Sequence, residues 1–210
     1  DFFASMEIAV LFSLLQVIDN PRQDVPLLGA LRSPLFGFTA DELGEMRARQ
    51  RTGDFYDALL ADADREKSAA FLKTLGALRE AAARLSVREL LDEVFRRCNV
   101  LGVFGAMEGG AERKENLLAF LAVSEDFERA GHRGLFSFVG ALRQQLESGE
   151  ATAPQVRRAA GGVRIMSIHK SKGLEFPVVI LSDLARRFSN MDFQSSVLVH
   201  PQLGLGPVCV

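Results

Sequence analysis

Seven consecutive positions, His169 to Glu175, gather one imidazole, two ammoniums, a hydroxyl, a glycine and a carboxylate: His169, Lys170, Ser171, Lys172, Gly173 and Glu175, with Leu174 among them. The set offers several donors for an anion and one strong acceptor. A turn that only reversed the chain would not need so many charged groups. The flanking runs, 163–168 and 178–181, are rich in β-branched residues and predict two short buried strands. A polar block at a strand end of an open α/β sheet is the usual place for a ligand. Each residue taken singly has a structural alternative. A lone histidine before a turn is often a satisfied structural residue, a Lys-x-Lys pair is often solvated, and Glu175 alone would serve as a cap. The ordered block between two apolar runs is what makes these residues a candidate site.

A second constellation, Arg113, Lys114 and Asn116, follows Gly109-Gly110. A helix start behind paired glycines is a potential anion site. The alternative, which we favour, is a solvated first turn with Asn116 bonded to nearby backbone. The basic pairs Arg157-Arg158 and Arg186-Arg187 flank the first block. Two stretches mimic catalytic motifs. Leu90-Leu91-Asp92-Glu93 resembles a metal-holding strand end but sits inside a helix that Ser86 and Glu89 open with a capping box. Glu112-Arg113-Lys114 copies the Glu-x-Lys of a metal nuclease without a partner aspartate on a preceding strand. Both are rejected, and no metal site is expected. The phenylalanines, Phe2 and Phe3 included, fall at core-like positions.

These groups must be positioned by the elements around them. From 7 to 19, Ile8, Leu11, Leu14, Leu15 and Ile18 recur at helical spacing, and Asn20-Pro21 closes the helix. A second helix is expected through 27–31, stopped by Ser33-Pro34. Thr39 and Glu42 form a capping box for a third. Gly53-Asp54 opens a fourth over 55–60. Residues 65–85 are alanine-rich and helical by propensity. The helix opened at Ser86 is expected to end near Cys98, followed by a loop through Gly102 and Gly109-Gly110. Two further helices are expected over 111–130 and 135–146. Residues 1–150 are therefore helical, 151–162 form a linker, and 163–210 hold strands at 163–168, 178–181, 197–200 and 207–210. The last two strands flank a hairpin-like turn at 201–206.

The 210 residues can bury one sizeable core. A net charge of −2 argues against a surface devoted to nucleic acid, though not against a local strip of cations. The two cysteines, Cys98 and Cys209, form neither a metal-ligand spacing nor a disulfide framework, as in a reducing cytoplasm. No apolar run approaches the ~18 residues that span a membrane. The chain lacks an initiator methionine, and we expect it to be a piece of a larger protein.

The run HKSKGLEFPVVIL at 169–181 resembles motif V of the superfamily 1 helicases related to UvrD. Within them it looks most like the AddA component of the AddAB-type ATP-dependent helicase/nucleases. Three further stretches agree in order and spacing. They are the opening DFFASMEIAVLFSLLQVIDNPRQDVPLLGALRSPLFGFTADELGEMR, the block GGAERKENLL at 109–118, and RGLFSF at 133–138. The resemblance implies a mainly α-helical 2B subdomain over 1–150 and part of an α/β RecA-like 2A subdomain of P-loop NTPase type over 163–210. It implies that His169, Lys170 and Ser171 face DNA, and that Lys172, Gly173 and Glu175 face the nucleotide. Glu175 would take the ribose hydroxyl and Lys172 would lie near the triphosphate. It implies ATP and Mg2+ as cofactors of the parent. The implied partners are DNA, as single strand and duplex end, and the second protein of the AddAB-type heterodimer. A 3'-5' exonuclease would lie beyond this chain. No Gly-x4-Gly-Lys-Ser/Thr run occurs, so the piece itself is expected to be inactive in ATP hydrolysis. A helicase of this type without a nuclease, and a helical protein-interaction module, are the alternatives. The DNPRQD and LRSP wording favours the AddAB type over the first.

Overall fold

The structure, a computed structural model, describes residues 2–148, 166–172, 175–182, 197–200 and 204–207. The chain divides into two compact units, Asp1–Ala160 and Gly161–Val210.

In the first unit nine helices follow one another among the described residues: α1 Met6–Asp19, α2 Asp24–Arg32, α3 Ala40–Arg49, α4 Phe55–Ala61, α5 Glu66–Ala82, α6 Val87–Arg97, α7 Val100–Gly105, α8 Gly110–Arg129 and α9 Leu135–Ser148. Their boundaries follow local chemistry. The Thr39 and Ser86 hydroxyls accept from the amides of Glu42 and Glu89, and those glutamates accept from the cap amides in return. The Asp54 carboxylate caps α4 through the Asp57 amide. Helix α7 corrects the loop expected after Cys98. It spans six residues, and Asn99 enters it in the left-handed conformation at φ 48°.

One hydrophobic core runs through the unit. Leu11, Leu14 and Leu15 of α1 pack in the same cluster as Leu27 and Leu31 of α2, Leu78 of α5, Phe104 of α7, Phe120 of α8 and Phe138 of α9. Helix α1 is central, packing against α2, α5, α8 and α9. The Phe138 ring meets Phe120 and Phe127 edge-on at 5.9 and 5.1 Å, a geometry that adds to the area buried. Phe3 is buried and Phe2 packs edge-on against it, in keeping with a packing role.

The buried Asp62 has partners. The Asp62 carboxylate, 1% exposed, accepts from the Ser68 hydroxyl at 2.7 Å and pairs with Arg49 and Arg65. The Glu128 carboxylate on α8 accepts from the Val87 and Arg88 amides at 2.6 and 3.3 Å, so one helix caps the exposed donors at the start of another. The Arg79 guanidinium on α5 donates to the Ile18 carbonyl at 3.1 Å, near the end of α1. No basic residue stands in the last turn of α1 itself, so the cation that complements its C-terminal end comes from a neighbour.

The second unit contains α10, Ile168–Ser171, and an antiparallel hairpin of β1, Val197–His200, with β2, Gly204–Pro207. Val197 stands opposite Pro207 and His200 opposite Gly204. The first hairpin strand lies where the sequence places it. The second begins three residues before the expected start at Pro207, and residues 208–210 lie outside the described residues. The strand expected over 178–181 is not formed: those residues carry no strand pairing, and they are 55–84% exposed. A strand exists only through its neighbours, and among the described residues this run has none. No helix among the described residues is long and apolar enough to cross a membrane.

Candidate functional site

The start of the polar block, predicted to close a strand, instead lies in one helical turn, Ile168–Ser171. The Ser171 amide donates to the Ser167 carbonyl at 3.1 Å and the Lys172 amide to the His169 carbonyl at 3.4 Å. Met166 and Ser167 precede the turn without strand pairing, and residues 163–165 lie outside the described residues.

His169 and Lys170 lie in this turn, and Lys172 follows it. His169, Lys172 and Glu175 are exposed. None of those three makes a side-chain hydrogen bond or ion pair among the described residues. The Ser171 hydroxyl donates to the Ile168 carbonyl at 2.7 Å, and its oxygen retains acceptor capacity. Gly173, the sixth candidate, lies outside the described residues, as do Arg157-Arg158 and Arg186-Arg187. An imidazole, an ammonium and a carboxylate are thus presented within seven positions without neutralising one another. The imidazole and the ammonium offer donors, and the carboxylate offers an acceptor.

The second constellation resolves differently. Arg113 Nη1 donates to Glu7 Oε2 at 2.5 Å, and Asn116 Nδ2 donates to Glu7 Oε1 at 2.7 Å. Glu7 stands on the first turn of α1, 106 residues away from Arg113, and is 1% exposed. Arg113 Nε also donates to the Glu108 carbonyl at 3.0 Å. Burial pushes the Glu7 carboxyl up. Hydrogen bonds from Asn116, its own amide, Arg113 and Ser5 outweigh that and hold it below the ordinary carboxylate range. The paired glycines serve the same junction. Gly109 sits at φ +69°, and a Cβ on Gly110 would stand 2.1 Å from the Gly105 carbonyl oxygen. Neither an anion site nor a solvated turn describes these residues. Arg113 and Asn116 fasten α8 to α1, while Lys114 remains exposed. Sequence reasoning missed Glu7. Its one signal was a carboxylate beside the apolar stripe of a helix with a largely buried face.

The Leu90-Leu91-Asp92-Glu93 mimic lies in a helix, as expected. Asp92 and Glu93 lie within α6, where Asp92 pairs with Arg88 and Glu93 with Arg96 and Arg97. Among the described residues no group of three or more His, Cys, Asp or Glu side chains is gathered as metal ligands would be. Burial pushes the Cys98 thiol up to about 11, so it stays protonated near neutrality and is no nucleophile.

The first unit is a bundle of helices, and the second holds an exposed turn and a hairpin. Residues 1–189 match the UvrD-like helicase C-terminal domain, and the chain belongs to that family. It is also similar along its whole length to proteins named as the A-type component of an ATP-dependent helicase/nuclease. The relative from Desulforudis audaxviator (strain MP104C) is 42% identical over 216 residues, covering 100% of this chain and 18% of the relative. That from Clostridium novyi (strain NT) is 38% identical over 219 residues, covering 98% and 18%. That from Acetivibrio thermocellus is 40% identical over 215 residues, covering 98% and 17%. The chain spans less than a fifth of the length of these curated relatives.

Proposed function

We propose that this chain is part of the AddA component of an AddAB-type complex, an ATP-dependent DNA helicase with 3'-5' exonuclease activity. The parent unwinds and degrades double-strand DNA ends for recombinational repair, in the cytoplasm and together with a second protein of the complex. Similarity along 98–100% of the chain to proteins named as a component of an ATP-dependent helicase/nuclease supports the reading. The exposure of His169, Lys172 and Glu175 supports it.

In this reading the helical unit is the 2B subdomain and residues 163–210 are part of 2A. His169, Lys170 and Ser171 contact the DNA backbone as donors. Lys172 and Glu175 face the nucleotide, Lys172 towards the triphosphate and Glu175 accepting from a ribose hydroxyl. Gly173 lets the main chain come close to phosphate, where a side chain would intrude. ATP with Mg2+, when bound, supplies the free energy of phosphoryl transfer. The side chains of this turn bind and orient; none of them transfers a phosphoryl group. Because one short turn touches both ligands, hydrolysis at one is coupled to movement of the other. The exposed run 178–181 is covered by sheet neighbours from elsewhere in the parent. The P-loop also lies elsewhere in the parent, so the isolated chain does not hydrolyse ATP.

The test uses the full-length protein with its AddAB-type partner, given a blunt DNA duplex, ATP and Mg2+. ATP hydrolysis stimulated by the duplex, with strand separation and degradation from the end, is the expected result. Hydrolysis indifferent to DNA, or none, overturns the proposal.

A further inference from the structure

We draw no further inference here: the strongest candidate, the cleft between the ends of α1 and α5 and the start of α9, where Phe136 stands 78% exposed beside Arg79 and Asp19, is an unpartnered and nearly charge-balanced corner, and nothing in the structure shows what covers it.

Discussion

The block at 109–116 and the block at 169–175 are built from similar residues: glycine, lysine, a further cationic side chain and a carboxylate. In the first, the arginine and the asparagine reach a carboxylate more than a hundred residues away and are held there. In the second, His169, Lys172 and Glu175 stay exposed, with no partner among the described residues. Composition cannot separate the two. Burial of the acceptor does. Glu7 sits on a helix whose other buried positions are nearly all apolar, so leaving it unpaired would cost several kcal/mol, and the fold supplies donors to it. Nothing buries Glu175, and its carboxylate stays in water. A charged block is a candidate for ligand binding when its charges are left over after folding, and a piece of scaffold when folding consumes them.

The sharpest way to break this comparison is to remove charges from both blocks of the isolated chain and follow urea unfolding. Arg113→Ala should lose about 3 kcal/mol, because it leaves the buried Glu7 carboxylate with neutral donors and no cation. His169→Ala and Glu175→Ala should stay within about 0.5 kcal/mol of the unaltered chain, as exposed substitutions do. Equal losses from both blocks would erase the distinction.

A smaller effect separates local from long-range order within the bundle. Ser86→Ala and Thr39→Ala each remove one side of a capping box and should cost about 1 kcal/mol. They should leave the Glu7 contacts intact, so either loss should add to that of Arg113→Ala within about 0.5 kcal/mol. Strong non-additivity would mean that the α8–α1 fastening depends on helix ends far from it.

The smallest expected change is in pH dependence. The Glu7 carboxyl is held below its ordinary range, so it binds a proton less readily folded than unfolded. Its contribution is therefore present above about pH 4.5, the ordinary value, and fades as the pH falls through the lowered one. Comparing Glu7→Gln with the unaltered chain, the stability gap should be widest at neutrality and should narrow below about pH 4.5. A gap that widens on acidification would reverse the assigned sign.

Much of the helical unit is legible in the sequence because its signals are local. The Thr39/Glu42 and Ser86/Glu89 pairs mark helix starts three residues apart, and Asn20-Pro21 marks an end. Helix α7 escapes because six residues containing Gly102 and Gly105 carry too little periodicity. Glu7 as the partner of Arg113 and Asn116 escapes because the contact joins positions more than a hundred residues apart. The run 178–181 and the end of the run 163–168 depart from the expectation for another reason. β-Branched side chains suit a pleated, half-buried surface, but pairing partners decide whether the backbone becomes a strand. At Ile168 the backbone takes up a helical turn instead, and at 178–181 no partner is present among the described residues. Of the candidate site, the identity and order of the residues are legible; the helical turn that carries His169 and Lys170 is not.

The account rests most heavily on the exposed turn serving ligands. The direct measurement is DNA-stimulated ATP hydrolysis by the full-length protein with the partner proposed above, comparing the unaltered protein with Glu175→Ala and His169→Ala. The account predicts a loss of about tenfold or more, roughly 1.4 kcal/mol of transition-state stabilisation, from each. Glu175→Ala should chiefly raise the KM for ATP, and His169→Ala the DNA concentration needed for half-stimulation. Unchanged kinetics in both variants, with the fold intact, would contradict the account.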